Sequence, residues 1–221
     1  MIKLIAIDMD GTLLNEKKHI DKAQKEAIHE AIEAGIKIVL CTGRPLYGIL
    51  PFYKELGLHE LDLEGYVILN NGCSIYKTKN WELIDWAEIT PDDIDYLYKF
   101  SEEYNINFTL VDDTHYFNIG RKPTDELIMD AKFVFSDITE ISLEEAKSGK
   151  YKIIKAMFLG NPKEMENFQK KYENILKDKY SGVLSLSHVY EVLPKNNNKG
   201  TGLKKLAEKL GIKQEEVMAI G

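Results

Sequence analysis

Near its start the chain runs Ile2-Lys3-Leu4-Ile5-Ala6-Ile7, apolar apart from Lys3, and then breaks at once into Asp8-Met9-Asp10-Gly11-Thr12. An almost uninterrupted apolar run of this length suits a strand covered on both faces, as in a parallel sheet. Two acids directly after it lie at the carboxyl end of that strand, where open α/β sheets bind their ligands. The next sixty residues repeat the theme. Asp21, with Gln24 three residues on, caps a helix whose Ala23, Ala27, Ile28, Ala31 and Ile32 share a face, and Gly35 stops it. Ile36 to Cys41 reads as a second buried strand, Pro45 suits the first turn of a helix ended by Gly57, and Tyr66 to Leu69 reads as a third strand. Strand-helix alternation of this kind predicts an α/β fold, a Rossmann-like parallel sheet with right-handed crossovers.

The pattern then changes character. Ser74 to Lys77 and Trp81 to Trp86 flank the polar turn Thr78-Lys79-Asn80 as a hairpin. Thr90-Pro91-Asp92-Asp93 opens a helix burying Ile94, Leu97 and Tyr98. Strands are expected at Asn107 to Val111, Tyr116 to Ile119, Ile153 to Leu159, Val183 to Ser187 and Val189 to Leu193, with a long helix over Pro162 to Tyr180. This mixed region predicts an inserted α+β domain over 84–193, with the first domain spanning 1–83 and resuming over 194–221. The resumed part carries a helix over Gly200 to Leu210 and a buried strand over Val217 to Ile220.

Composition narrows the function classes. The 221 residues carry a formal charge of −7, which disfavours a duplex phosphate backbone as partner. No apolar run approaches the ~20 residues of a membrane helix, and acids follow the apolar start too soon for a signal peptide. Two cysteines, Cys41 and Cys73, make no disulfide framework. The expectation is a soluble cytoplasmic protein without a nucleic-acid or membrane partner; its oligomeric state is not readable.

Four short motifs carry chemistry. Asp8 and Asp10 can both face one ligand if the chain curls at Gly11-Thr12, and hard oxygen ligands with few neighbours suit Mg²⁺ beside a phosphate. Thr42-Gly43-Arg44 ends the second strand with a hydroxyl and a Gly amide before a helix, an anion cradle that equally reads as an ordinary strand-to-helix loop. Asn70-Asn71-Gly72 ends the third strand and reads first as a hairpin turn, with Asn71 as a secondary ligand candidate. Lys199-Gly200 precedes a helix, where a lysine can offset phosphoryl charge, although several lysines lie near it in sequence.

Together these residues resemble the haloacid dehalogenase superfamily of phosphatases, and within it the Cof-type branch, which carries an α/β cap between its second and third motifs. The resemblance runs through the whole chain. Asp8-Met9-Asp10-Gly11-Thr12 matches the first motif, Thr42-Gly43-Arg44 the second, Asn70-Asn71-Gly72 the branch's Asn-Gly turn, and Lys199-Gly200 the third-motif lysine. It implies Asp8 as nucleophile and Mg²⁺ ligand, Asp10 as general acid and base with a metal role, and the Met9 backbone on metal and phosphate. It further implies that Thr42, Gly43 and Asn71 bind phosphate and that Lys199 steadies both nucleophile and phosphate. The substrate would be a small phosphorylated metabolite, with an aspartyl-phosphate intermediate and the cap closing over the site; Tyr116 and His188 are unranked cap candidates. A fourth motif begins with a Gly-Asp pair after a strand like Val217 to Ile220; here the chain stops at Gly221, so the expectation is a fold truncated after that strand and short of one metal carboxylate. Asp10 needs a raised pKa to start as an acid.

Rival readings are less well matched. A receiver domain needs no inserted domain, a cysteine phosphatase at Cys41 needs its arginine further on than Arg44, and a phosphomutase or an inactive phosphate-binding fragment stays open as an alternative.

Overall fold

The computed structural model describes residues 1–221. The chain forms two compact units: Met1–Arg44, Ile49–Trp86 and Asn198–Gly221 make the first, and Pro45–Gly48 with Ala87–Asn197 the second.

In the first unit, β1 (Leu4–Ile7), β2 (Lys37–Cys41) and β3 (Tyr66–Leu69) are parallel neighbours, with Leu4 opposite Lys37 and Val39 opposite Tyr66. The hairpin strands β4 (Ser74–Lys77) and β5 (Glu82–Trp86) extend the sheet antiparallel beyond β3. β12 (Val217–Ile220) joins the other side of β1 in parallel, giving the order β12-β1-β2-β3-β4-β5. Strand order therefore reverses at β1, and the crevice outside its carboxyl end is the topological switch point of the sheet. Successive residues Val39 and Leu40 are both fully buried, so both faces of β2 are covered. On one face Leu4, Ala6, Val39, Cys41 and Ile68 pack with Leu206 of α7 (Lys199–Lys209). α1 (Lys22–Glu33) begins as expected, the Asp21 N–H donating to Gln24 Oε1 at 3.1 Å.

Several boundaries differ from the sequence reading. The first unit runs to Trp86, not to 83, because β5 pairs with β4 as far as Trp86, opposite Ser74. No helix starts at Pro45: Pro45–Gly48 is a turn closed by Gly48 N–H on Pro45 O, and α2 is confined to Leu50–Glu55. β12 is not a buried strand, since β1 is its sole partner and Met218 and Ile220 are each more than two-fifths exposed.

The second unit is a six-stranded sheet in the order β10-β11-β9-β6-β7-β8, built from β6 (Asn107–Val111), β7 (Tyr116–Ile119), β8 (Ile138–Ile141), β9 (Lys155–Leu159), β10 (Tyr180–Leu186) and β11 (Val189–Pro194). All pairs are antiparallel except β7 with β8. One face carries Phe108, Leu110, Phe117 and Phe158 against α3 (Pro91–Ser101), α5 (Leu143–Lys147) and α6 (Pro162–Leu176), with the Phe158 and Phe168 rings 4.4 Å apart. The other face packs Val111, Tyr116, Met157 and Val189 against Leu127 and Ala131 of α4 (Asp125–Phe133). β8, α4 and α5 have no counterpart in the sequence reading. No helix of the chain is long and apolar enough to cross a membrane.

Candidate active site

β1 ends at Ile7, and the loop after it is folded on itself: Leu13 N–H donates to Asp8 O at 3.1 Å, and Leu14 N–H to Met9 O at 2.8 Å. Gly11 takes φ +83°, which lets the loop reverse. Asp8 lies at the switch point. Its Oδ1 accepts the Met9 N–H at 2.7 Å and the Lys199 ammonium at 2.8 Å, while its Oδ2 carries no hydrogen bond.

Lys199 reaches Asp8 from the first turn of α7, 191 residues away in sequence. Asn198 caps that helix through Oδ1, which accepts the Thr201 N–H at 2.9 Å. Its height is set by close backbone packing. A Cβ on Gly72 would stand 2.1 Å from Asn198 O, and one on Gly202 2.9 Å from the Gly72 α-carbon. The helix thus presents both its positive dipole end and an ammonium beside Asp8.

Asn70-Asn71-Gly72 is the β3–β4 connection, as its Asn-Gly dipeptide suggested, with all three residues at positive φ. It is also the clamp of the second motif. Asn70 N–H donates to Arg44 O, and Asn71 N–H to Thr42 O, both at 3.0 Å. The Asn71 side chain lies against Gly43, where an added Cβ would be 2.9 Å from Asn71 Oδ1. Thr42 is buried, its hydroxyl accepting the Arg44 N–H at 3.2 Å. Asp8, Thr42, Gly43, Asn71 and Lys199 are therefore brought to one edge of the sheet.

Two expected site residues behave differently. Met9 is fully buried; its N–H is spent on Asp8, and its carbonyl accepts from Thr12 and Leu14, so neither backbone group is turned to a ligand. The Asp10 carboxylate is closed by cations. Arg44 Nε donates to Oδ2 at 2.8 Å and Nη2 to Oδ1 at 2.9 Å, and Lys18 Nζ adds a bond to Oδ1 at 2.9 Å. Burial by itself would raise the Asp10 pKa, but hydrogen bonds and charge from Arg44 and Lys18 outweigh it and hold the carboxyl below its ordinary value. Without substrate, then, the Asp10 carboxyl lies below its ordinary value, whereas the acid role expected of it asks for a raised one in the first step. Arg44, only 3% exposed and set against the Phe52 ring, and Lys18 were not singled out in the sequence. Arg44 stood in a matched motif without a role, and nothing in the sequence distinguishes Lys18 from Lys17.

Cys41 ends β2 beside this site, and burial pushes its thiol up to about 12, a shift that Lys199 opposes and Asp8 reinforces. A thiol so far from ionising is no nucleophile at neutral pH. No group of three His, Cys, Asp or Glu side chains could cage a metal ion. Mg²⁺ needs no such cage, since it is held by one or two carboxylates with waters and phosphate oxygens. The unbonded Asp8 Oδ2 fits that demand; the Asp10 carboxylate, occupied by Arg44 and Lys18, does not.

Comparison with known proteins gives the family of the chain. A family model described as haloacid dehalogenase-like hydrolase matches residues 5–221. YxeH of Bacillus subtilis is 34% identical over 226 residues, spanning 100% of this chain and 81% of its own length. The 5-amino-6-(5-phospho-D-ribitylamino)uracil phosphatase YcsE of the same organism is 32% identical over 227 residues, spanning 100% of this chain and 76% of its own. A crystal structure of a haloacid dehalogenase-like hydrolase from Bacteroides thetaiotaomicron superposes with a TM-score of 0.86 at 25% identity, covering 99% of this chain and 81% of that one.

Proposed function

Because the chain belongs to the haloacid dehalogenase-like hydrolases and is a phosphatase of that family, we propose that it hydrolyses small-molecule phosphate monoesters, sugar phosphates or similar metabolites, through an aspartyl-phosphate on Asp8. The observation that carries this reading is Asp8 at the switch point, one oxygen held by Lys199 and Met9 N–H, the other open.

Phosphate-monoester hydrolysis is among the slowest uncatalysed reactions, with enzymatic accelerations up to ~10²¹, so positioning and charge neutralisation must supply most of the effect. Lys199 and the α7 terminus offset the repulsion between the substrate dianion and Asp8. The Asp8 carboxylate attacks phosphorus as the ester P–O bond breaks, and the departing alkoxide takes a proton from Asp10. Water then attacks the acyl phosphate, its proton passes to Asp10, and Asp8 and inorganic phosphate are regenerated. Asp10 can give a proton only after its cations loosen; the incoming dianion raises its pKa by like-charge repulsion and competes for those cations. Thr42, Gly43 and Asn71 form the interlocked loop against which phosphate oxygens would rest. Mg²⁺, which Asp8 Oδ2 would help to hold, supplies Lewis-acid stabilisation of phosphoryl charge when bound.

Phosphate release from p-nitrophenyl phosphate, with and without added Mg²⁺, tests this reading. The wild type is expected to turn over with Mg²⁺, and Asp8→Asn to lose at least ~10³-fold of that rate. Full activity in Asp8→Asn rejects it.

A further inference from the structure

Lys18 occupies a backbone conformation its own side chain disfavours. Its φ is +59°, in the left-handed region where glycine or asparagine is the usual occupant. Asn15 builds the loop that imposes it. Asn15 Oδ1 accepts the N–H groups of Lys17 at 3.0 Å and His19 at 3.1 Å; Asn15 N–H donates to His19 O at 3.0 Å, and Lys18 N–H to Asn15 O at 2.9 Å. Residue 18 contributes only backbone to that network. A lysine there is strained, and what the strain secures is the place of its ammonium, 2.9 Å from Asp10 Oδ1.

Asp10 has little need of that ammonium. Arg44 already grips both its oxygens from a buried position, whereas the Lys18 side chain is 45% exposed on a flexible stem. Two carboxylates, Asp8 and Asp10, stand against three cations, Lys18, Arg44 and Lys199, so the cluster carries one positive charge in excess. When Asp8 takes the phosphoryl group, Asp10 meets the oxygen of the leaving group. A cation on Asp10 therefore stands on the leaving-group side of phosphorus.

We propose that Lys18 is a specificity-determining residue whose ammonium passes from Asp10 to a second anionic group, a carboxylate or a further phosphoryl, on the leaving part of the substrate. This rests on the reading of Asp8 and Asp10 as the site of phosphoryl transfer.

The test separates the two claims. Turnover of p-nitrophenyl phosphate reports on the phosphatase reading. The ratio of inhibition constants of 3-phosphoglycerate and glycerol 3-phosphate against that turnover reports on Lys18, because the two compounds differ in a carboxylate against a hydroxymethyl group. At fixed ionic strength the wild type is expected to favour 3-phosphoglycerate by about tenfold, the scale of one charge-assisted contact. Lys18→Met and Lys18→Gly should bring the ratio close to one, and Lys18→Arg should keep most of it. Lys18→Gly removes the left-handed strain, so its melting temperature should not fall below that of the wild type, which sets loss of folding aside. Equal constants in the wild type, or a preference unchanged in the Met and Gly variants, overturns the assignment while leaving the phosphatase reading intact.

Discussion

The Arg44 guanidinium closes on the Asp10 carboxylate as a fork, Nε to Oδ2 at 2.8 Å and Nη2 to Oδ1 at 2.9 Å. Only a planar two-pronged cation makes both bonds at once, and its burial against Phe52 fixes the plane in which the carboxylate lies.

Removing that fork should act on both stability and rate. Arg44→Ala leaves a half-buried carboxylate with Lys18 as its sole cation and empties a buried position, at a cost of about 1–3 kcal/mol. A carboxylate no longer fixed in its plane should lose roughly 100-fold in turnover. Arg44→Lys keeps the charge but not the fork, and should recover stability more than rate. Urea unfolding and p-nitrophenyl phosphate turnover read the two effects; full turnover in Arg44→Lys would show that orientation of Asp10 is immaterial.

The same pair sets an acid dependence. The Asp10 pKa is lower in the folded chain than its ordinary value, so the unfolded chain binds more protons in that range. The resulting stabilisation is complete above the ordinary aspartate value, about 4, and is lost as pH falls through the lower folded value. Urea midpoints of the wild type should therefore converge on those of Asp10→Asn between pH 6 and the acid limit. Parallel curves down to the acid limit would count against this linkage.

Cys41 should be inert. With its thiol pushed up to about 12 and its side chain buried, iodoacetamide at pH 8 should leave it unmodified in the folded protein and leave phosphatase activity unchanged. Mass spectrometry of native and urea-unfolded samples checks this, with labelling expected only in urea.

The two loop glycines should respond unequally to alanine. Gly72→Ala would drive a Cβ into Asn198 O at φ +91°, displacing the start of α7 and with it Lys199. A loss of about 1–3 kcal/mol from the strained backbone, and more from the clash, should come with loss of turnover. Gly11→Ala has the same conformational penalty at φ +83° but nothing within 4 Å, so its cost should stay near ~1 kcal/mol. Thermal melts of the two variants compare these directly.

Much of the fold was legible because its signals are local. The apolar runs of β1, β2 and β3 mark strands whatever surrounds them, and the Asn-Gly pair marks the turn between β3 and β4. Where local signals are weak the reading failed. α4 leaves Ile128, Met129 and Phe133 partly in solvent and so blurs its own periodicity, and α5 is a five-residue helix. Pro45 suits a helix start, yet the chain turns there and begins α2 five residues later.

By itself the sequence determined the strand-helix alternation, the chemistry-bearing motifs and their place after strands, because apolar period and turn chemistry act over a few residues. Only the tertiary structure decided which cations meet which carboxylates. Lys199 crosses 191 positions to reach Asp8, and Arg44 crosses 34 to reach Asp10. The protonation of Asp10 is a sum over burial and neighbouring charge, and that sum exists only once the chain has closed.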